Sequence, residues 1–128
     1  MSLPNIPLLL SALLIFCSFA GSASAQIPTD EYYNSGQLKT DYEGLRSGVI
    51  QVTYYYEDGR VRETGFFKDG QNHGHWVSYR PDGQKNAEGL YHYSQREGNW
   101  RYWTPNGDVY AVVQFNNSQV TSAFLPSL

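Results

Sequence analysis

Arg80-Pro81-Asp82-Gly83-Gln84 is the stretch of the sequence that decides the fold. Proline presets φ at the second position of a tight turn, and aspartate tolerates the third position. Glycine then takes the left-handed conformation that closes a type I turn with a bulge. Asp58-Gly59 lies 24 residues before Asp82-Gly83, and Asn106-Gly107 lies 24 residues after it. A tight turn that recurs at a fixed interval indicates that one hairpin-sized unit is repeated along the chain.

The residues around the turns repeat at the same interval. The coinciding positions are Tyr55, Tyr79 and Trp103 before the turns, Gly59, Gly83 and Gly107 within them, and Gly65 and Gly89, then Phe67, Tyr91 and Phe115, after them. A less regular copy, Tyr32-Tyr33-Asn34-Ser35-Gly36, precedes them at an offset of 23. Terminal units of repeat arrays are commonly atypical. Residues 26–48 are therefore interpreted as a degenerate N-terminal repeat or cap, and residues 49–128 as a repeat domain of about three 24-residue units.

The runs between the turns predict strands. They are short and rich in aromatic residues, which suit a pleated surface. No window shows apolar residues at helical spacing over three turns. Successive hairpins joined by short loops predict an all-β fold, an antiparallel meander that forms one elongated, twisted sheet.

The turn also predicts a strand register. If Arg80 pairs with Gln84, the residues facing each other are Tyr79 and Lys85, Val77 and Ala87, and His75 and Gly89. These residues share a face with Tyr91, and this more apolar face is predicted to form the core. An aromatic ring beside a cross-strand glycine can lie over the bare backbone. The opposite face is predicted to carry Trp76 and Ser78, although a bulge between the strands would exchange some of these assignments.

The first residues predict export. An apolar run from Leu8 to Cys17 leads to Ala23-Ser24-Ala25, the small-x-small pattern that a signal peptidase accepts. Cleavage is expected after Ala25, so residues 1–25 are interpreted as a signal peptide and the mature protein as secreted or periplasmic. Two alternatives remain. A membrane anchor would need about 20 apolar residues, more than this run supplies. Lipidation of Cys17 would be hindered by the bulky Ile15-Phe16.

Composition excludes several classes of partner and site. The formal net charge is −3, which argues against a nucleic-acid surface and gives no support to contact with anionic lipid. Cys17 is the only cysteine, and it would leave with the signal peptide. The mature chain is therefore expected to contain no disulfide and no thiolate metal site.

The repeated motif resembles a known family. Gly74-His75-Trp76-Val77-Ser78-Tyr79-Arg80-Pro81-Asp82-Gly83 and Gly98-Asn99-Trp100-Arg101-Tyr102-Trp103-Thr104-Pro105-Asn106-Gly107 resemble the MORN repeat, and more closely its bacterial variant. The resemblance implies a β-hairpin scaffold that binds proteins and in some members lipid head groups. An antitoxin label, carried by some bacterial members, fits poorly with a secretory leader. Val113 in place of glycine and Phe124 in place of tryptophan indicate a terminal unit.

No catalytic or metal-binding constellation stands out in the sequence. His73 and His75 alternate, and His92 follows on a neighbouring strand, but no carboxylate or cysteine completes a ligand set at diagnostic spacing. Turn conformation already accounts for Asp58 and Asp82. We therefore expect no enzymatic activity, no metal and no cofactor.

The aromatic residues are the candidates for binding. Trp76, Trp100, Tyr54 and Tyr102 recur on the face predicted to be less apolar. The leading hypothesis is an exported, non-enzymatic repeat scaffold that mediates protein–protein interaction at the cell envelope. The alternatives are a module that binds glycan or cell wall through Trp76, Trp100 and Tyr102, which must then be exposed, and an antitoxin-like protein.

Overall fold

Closely spaced turns and short aromatic runs produce an open antiparallel sheet in which every strand pairs with the next along the chain. The computed structural model describes residues 26–126, so the predicted signal peptide lies outside the described residues. The nine strands are β1 (Glu31–Tyr32), β2 (Leu38–Gly44), β3 (Val49–Tyr55), β4 (Val61–Lys68), β5 (Gln71–Tyr79), β6 (Lys85–His92), β7 (Gln95–Trp103), β8 (Val109–Asn116) and β9 (Gln119–Phe124). A short 3₁₀ segment, Arg46–Gly48, joins β2 to β3. The predicted all-β meander is confirmed.

The repeated glycines close the turns along one edge of the sheet, the glycine-turn edge. The turns span residues 33–37, 56–60, 80–84 and 104–108. In each turn the N–H of the first residue donates to the carbonyl of the fifth residue, and the N–H of the glycine donates to the carbonyl of the first residue. Gly59, Gly83 and Gly107 have φ of 87°, 89° and 91°. This is the predicted turn with a glycine bulge. Gly36 has a φ of 85°, so the irregular N-terminal copy makes the same turn.

Side chains join neighbouring turns along the glycine-turn edge. The Tyr33 hydroxyl donates to the carbonyl of Tyr55 at 2.8 Å. The Tyr56 hydroxyl donates to the carbonyl of Tyr79 at 2.8 Å, and the Arg80 guanidinium donates to the carbonyl of Trp103. Because the first residue of each turn reaches the last strand residue before the next turn, each unit is tied to its successor.

The opposite edge is closed by two-residue turns at Asp69-Gly70, Tyr93-Ser94 and Asn117-Ser118. Both central residues of each turn have positive φ, as type I′ hairpins require. Tyr93, at a φ of 46°, is a bulky residue in a conformation that it rarely adopts. Compensating hydrogen bonds hold the turns: Ser94 N–H donates to the carbonyl of Asn72 at 2.8 Å, and the Ser94 hydroxyl accepts from Asn72 N–H at 3.2 Å. Ser118 repeats both bonds with Arg96.

A bulge after the glycine turn makes the observed strand register differ from the predicted one. Tyr79 pairs with Lys85 as predicted, but Asn86 is then extra, so Ser78 pairs with Ala87 and Trp76 with Gly89. The predicted pairs of Val77 with Ala87 and of His75 with Gly89 are wrong. The same shift occurs in the preceding and following glycine-turn hairpins, at the ends of β3 and β7. One extra residue moves the rest of its strand to the other face.

The bulges therefore divide the predicted core face between the two sides of the sheet. The aromatic face carries Phe67, Trp76, Tyr91, Trp100 and Phe115, and the second face carries Tyr55, Val77, Tyr79 and Trp103. Most of the buried core lies on the aromatic face. The buried side chains of residues 26–126 are Val52, Trp76, Val77, Trp100, Ala111 and Phe115, together with Thr40.

The two ends of the sheet differ. At β2, Asp30 Oδ1 accepts from Tyr42 N–H at 3.2 Å, and the Ile27 side chain covers Gly44. At the other end all residues of β9 are exposed, including Val120 and Phe124. Within the described residues, no helix is long and apolar enough to cross a membrane.

Candidate functional site

Five rings cross the strands in one row on the aromatic face. Adjacent centroids are separated by 5.6 Å from Phe67 to Trp76, 5.9 Å to Tyr91, 5.0 Å to Trp100 and 6.3 Å to Phe115. The planes of adjacent rings meet at 72–83°, the edge-to-face arrangement that aromatic quadrupoles favour. A single-layer sheet has no second layer to pack against, so contacts between these rings form much of the core on this face.

Each tryptophan of the row lies over a glycine. A Cβ added to Gly65 would fall 2.1 Å from the Trp76 ring, and one added to Gly89 would fall 2.2 Å from the Trp100 ring. Trp76 Nε1 donates to the carbonyl of Phe66 at 3.2 Å, and Trp100 Nε1 donates to that of Leu90 at 3.1 Å. The strand glycines therefore remain bare because the indoles occupy the space of a side chain.

Trp76 and Trp100 are consequently structural residues. Their exposed fractions are 4% and 6%. The glycan platform required both to be exposed, and that expectation is wrong. The predicted assignment of these residues to the less apolar face is also wrong, because the bulge places both on the aromatic face with the core.

Tyr54 and Tyr102, the other two candidate residues, lie on the same face and are half-buried. They occupy equivalent places in the repeat, and Ser78 occupies this place in the unit between them. Cross-strand pairing sets out a row of side chains in the order Tyr54, Glu63, Ser78, Ala87 and Tyr102. The small Ser78 and Ala87 leave a depression of about 240 Å³ between Glu63 and Tyr102, which we call the Ser78 cleft.

The Ser78 cleft contains charged groups of both signs. Glu63 is half-buried, and this burial raises the pKa of its carboxyl, with Arg62 opposing the shift. Arg96, at the far end, lies 4.8 Å from the Trp100 ring centroid and 5.3 Å from that of Phe115. A side-chain hydrogen bond with Tyr91 raises the pKa of Arg96. Burial likewise raises the pKa of the Tyr102 hydroxyl.

The second face contains a larger depression, the second-face groove, of about 550 Å³. Its walls come from the hairpins closed by the glycine turns at residues 56–60 and 80–84, with Tyr55 and Val61 on one side and Tyr79 on the other. Thr53 and Thr64 form the floor, and their hydroxyl oxygens lie 3.4 Å apart. Arg60 lies at the rim and donates to the carbonyl of Pro81 at 2.6 Å. The groove is thus largely apolar.

Most of the residues considered for metal binding or catalysis have local partners, although the buried Nδ1 of His73 has no hydrogen-bond partner within the described part of the chain. Asp58 Oδ1 accepts from Arg60 N–H, and Asp82 Oδ1 accepts from Gln84 N–H, both at 3.0 Å, so these aspartates stabilise turns. The His73 and His92 rings lie 5.4 Å apart, while His75 lies 3.8 Å from Glu88. Residues 26–126 contain no group of three or more His, Cys, Asp or Glu side chains arranged to hold a metal ion.

Sequence reasoning did not find either depression. The signal for the Ser78 cleft is present in the repeat, because Ser78 stands 24 residues from Tyr54 and from Tyr102. The second-face groove depends on the bulges that follow the glycine turns at residues 56–60 and 80–84, because they place Phe67 and Tyr91 on the opposite face from Tyr55 and Tyr79.

Two segments of the chain, residues 49–69 and 96–117, match the MORN repeat variant. The chain contains MORN-variant repeats. The resemblance seen in the sequence is confirmed, and the same hairpin geometry continues through β5 and β6 between the two matched segments. Comparison with curated proteins gave no match.

The repeat sheet is similar to part of larger solved structures. A structure titled "Crystal Structure of TarM" matches with a TM-score of 0.51 and 14% identity, over 79% of this chain and 20% of that chain. A TarM mutant from S. aureus, in complex with Fondaparinux, alpha-GlcNAc-glycerol and UDP, has a TM-score of 0.38 and 11% identity, over 76% and 17% of the two chains. The chain spans about a fifth of the length of the first TarM chain, and at this identity the likeness shows the fold alone.

Proposed function

We propose that the chain is a non-enzymatic MORN-variant scaffold, exported to the cell envelope, whose second-face groove binds an extended segment of a protein partner. The groove is the observation that carries the proposal. The aromatic face covers much of itself with its own ring row, whereas the second face keeps Tyr55 and Tyr79 half-exposed around an apolar depression of about 550 Å³.

The chemistry of the groove favours a protein segment. Half-exposed aromatic walls beside a rim arginine resemble the composition of protein interfaces, where tyrosine and arginine are enriched. The walls formed by Tyr55, Val61 and Tyr79 can contact an apolar side chain. Arg60 at the rim already donates to the carbonyl of Pro81 and lies 3.7 Å from Asp58, and its remaining N–H groups can donate to a carboxylate or a carbonyl of the same segment.

Two further observations support the proposal, the first for a non-enzymatic scaffold and the second for export. Asp58 and Asp82, which recur in the repeat, accept hydrogen bonds from turn N–H groups, so their carboxylates are already engaged in the fold. The apolar run before Ala23-Ser24-Ala25 supports export, since this pattern is typical of a signal peptidase site.

Site-specific photo-cross-linking tests the partner. A photoreactive residue at Arg60, on the groove rim, is compared in the native envelope fraction with one at Val120, which is exposed on β9 away from the groove. We expect a protein that cross-links from position 60 and not from position 120. The purified partner should then bind the full chain, and Val61→Asp should weaken binding at least about tenfold, since it places a charge in an apolar contact. Equal cross-linking from both positions, or unchanged affinity for the variant, would overturn the proposal.

N-terminal sequencing tests export separately. The protein recovered from the envelope or medium should begin at Gln26. Recovery of the full-length chain from the cytosol, with none in the other fractions, would contradict export without bearing on the groove.

A further inference from the structure

The Ser78 cleft exists because one repeat lacks a ring that its neighbours possess. Tyr54 and Tyr102 occupy the equivalent place on the aromatic face in the flanking units. Cross-strand neighbours place Glu63 on one side of the serine and Ala87, then Tyr102, on the other. Substitution of tyrosine by serine in the middle unit therefore removes a side chain from a row that is otherwise filled.

The lining of the cleft combines polar groups with aromatic side chains. Glu63 and Tyr102 form opposite walls, and Asn86 lies beside Ser78, to which its amide donates at 3.3 Å. The buried Trp76 and Trp100 close the cleft on the side of the ring row. The volume of about 240 Å³ is smaller than the roughly 300–1,000 Å³ of sites for drug-sized ligands, so the cleft suits one small ring.

The charges in the cleft favour a neutral polar ligand. Glu63 forms no ion pair among the described residues, and its carboxylate can accept hydrogen bonds. Arg96 carries the opposite charge at the other end, where it is held over the rings of Trp100 and Phe115. An anion would meet Glu63 and a cation would meet Arg96, whereas a neutral ligand with several hydroxyl groups can bond to both.

We propose that the Ser78 cleft binds a single neutral pyranose ring, with its hydroxyl groups on Glu63, Asn86 and Arg96 and its C–H groups against the aromatic and apolar side chains of the lining. This site is distinct from the exposed-tryptophan platform, because Trp76 and Trp100 are buried and the polar contacts come from Glu63, Asn86 and Arg96. It also goes beyond the proposed protein-binding function, since it lies on the opposite face of the sheet from the groove.

The three tryptophans provide a built-in control for the test. Trp76 and Trp100 line the cleft, whereas Trp103 lies on the second face. Methyl glycosides of glucose, galactose, mannose and N-acetylglucosamine are titrated into the ¹⁵N-labelled full chain while the indole N–H signals are followed. At least one glycoside should shift the Trp76 and Trp100 signals saturably and leave the Trp103 signal in place. The dissociation constant should be on the order of 1 mM, as expected for a ligand with few atoms.

Ser78→Tyr is the decisive variant because it installs the ring that the neighbouring units carry. The fold should be retained, since the same backbone accommodates Tyr54 and Tyr102, and near-UV circular dichroism checks this. Binding should weaken at least about tenfold, or about 1.4 kcal/mol. Ser78→Ala is the matched control, keeps the cleft open and should bind within about threefold of wild type, less than about 1 kcal/mol.

Glu63→Gln provides a second variant that leaves the shape of the cleft unchanged. It should weaken binding severalfold, because an amide is a poorer acceptor than a carboxylate. The proposal is overturned if no neutral glycoside shifts the two indole signals, if all three indole signals shift together, or if folded Ser78→Tyr binds as wild type does. Preference for glucuronate or choline over every neutral glycoside would also overturn it.

Discussion

Gly89→Ala should destabilise the sheet because the new methyl group would occupy the place of the Trp100 ring. An ideal Cβ at Gly89 would lie 2.2 Å from Cδ2 and 2.3 Å from Cε2 of Trp100. Carbon atoms in contact are about 3.5–4.0 Å apart, so the indole must withdraw by roughly 1.5 Å. That movement disturbs the Nε1 hydrogen bond to the carbonyl of Leu90 and the edge-to-face contact with Tyr91. Overpacking of this kind costs about 1–3 kcal/mol.

The effect should change sign when the ring is removed. In a Trp100→Ala background nothing fills the space above Gly89, and alanine is favoured over glycine in a strand by about 0.5–1 kcal/mol. Gly89→Ala should therefore destabilise the wild type and stabilise Trp100→Ala. Val113 shows that a side chain is tolerated at this repeat position when the residue equivalent to the tryptophan, Phe124, is 65% exposed.

Urea unfolding followed by far-UV circular dichroism measures all four members of this cycle. A difference of about 1 kcal/mol also shifts the melting temperature of a domain of this size by about 4–8 °C. If Gly89→Ala is destabilising by the same amount in both backgrounds, the cost comes from the backbone and the ring-over-glycine explanation is refuted. Gly65→Ala with Trp76→Ala repeats the cycle in the preceding unit.

Three further substitutions, one of them with Tyr32→Phe as its control, test the glycine-turn edge of the sheet and the charge on its aromatic face. Tyr56→Phe removes the hydroxyl that donates to the carbonyl of Tyr79 and should cost about 0.5–1.5 kcal/mol in urea unfolding, whereas Tyr32→Phe, at a residue that is 61% exposed, should stay within about 0.5 kcal/mol. If Tyr56→Phe and Tyr32→Phe change the free energy of unfolding equally, the Tyr56 hydrogen bond does not stabilise the fold. Because burial raises the pKa of Glu63, the folded chain binds the proton more tightly than the unfolded chain, and stability is lost as pH rises above about 4.5 through the folded-state pKa. Glu63→Gln should abolish that loss and be the more stable protein at neutral pH, and parallel pH profiles for the two proteins would contradict the assignment. Gly83→Ala should cost about 1–2 kcal/mol, because φ at this residue is 89°, and an unchanged melting temperature would exclude strain there.

The local chemistry of the turns was accessible from the sequence. The aspartate and glycine of each turn have strong conformational preferences, so Asp82-Gly83 specifies its hairpin without help from distant residues. The 24-residue spacing then implies the meander. Even the irregular copy ending at Gly36 makes the expected turn, with the same pattern of backbone hydrogen bonds.

The distribution of side chains between the faces was not accessible in the same way. The extra residues at the three bulges, Arg62, Asn86 and Tyr110, share no residue type. The bulge at Asn86 nevertheless places Tyr91 on the face of Trp76 and Ser78 instead of that of Tyr79. Bulges depend on packing between strands. Here the shifted register is the one that pairs Trp76 with Gly89 and lets the indole rings pack over strand glycines. The faces were therefore misassigned even though the strands themselves were correct.

The hydrogen bonds between turns have a consequence for how the chain acquires its structure. The three bonds that run from the first residue of a glycine turn to the strand before the next turn, from Tyr33 to Tyr55, from Tyr56 to Tyr79 and from Arg80 to Trp103, span 22 or 23 residues. Each described strand pairs with the strand just before it in the chain, so strand pairing needs no partner that is distant in sequence. A chain that emerges N-terminus first can thus add one finished hairpin at a time onto a template capped by Asp30 and Ile27. Such vectorial growth has little loop-closure entropy to overcome, and it would suit the export that we propose, in which the chain folds after it has crossed a membrane.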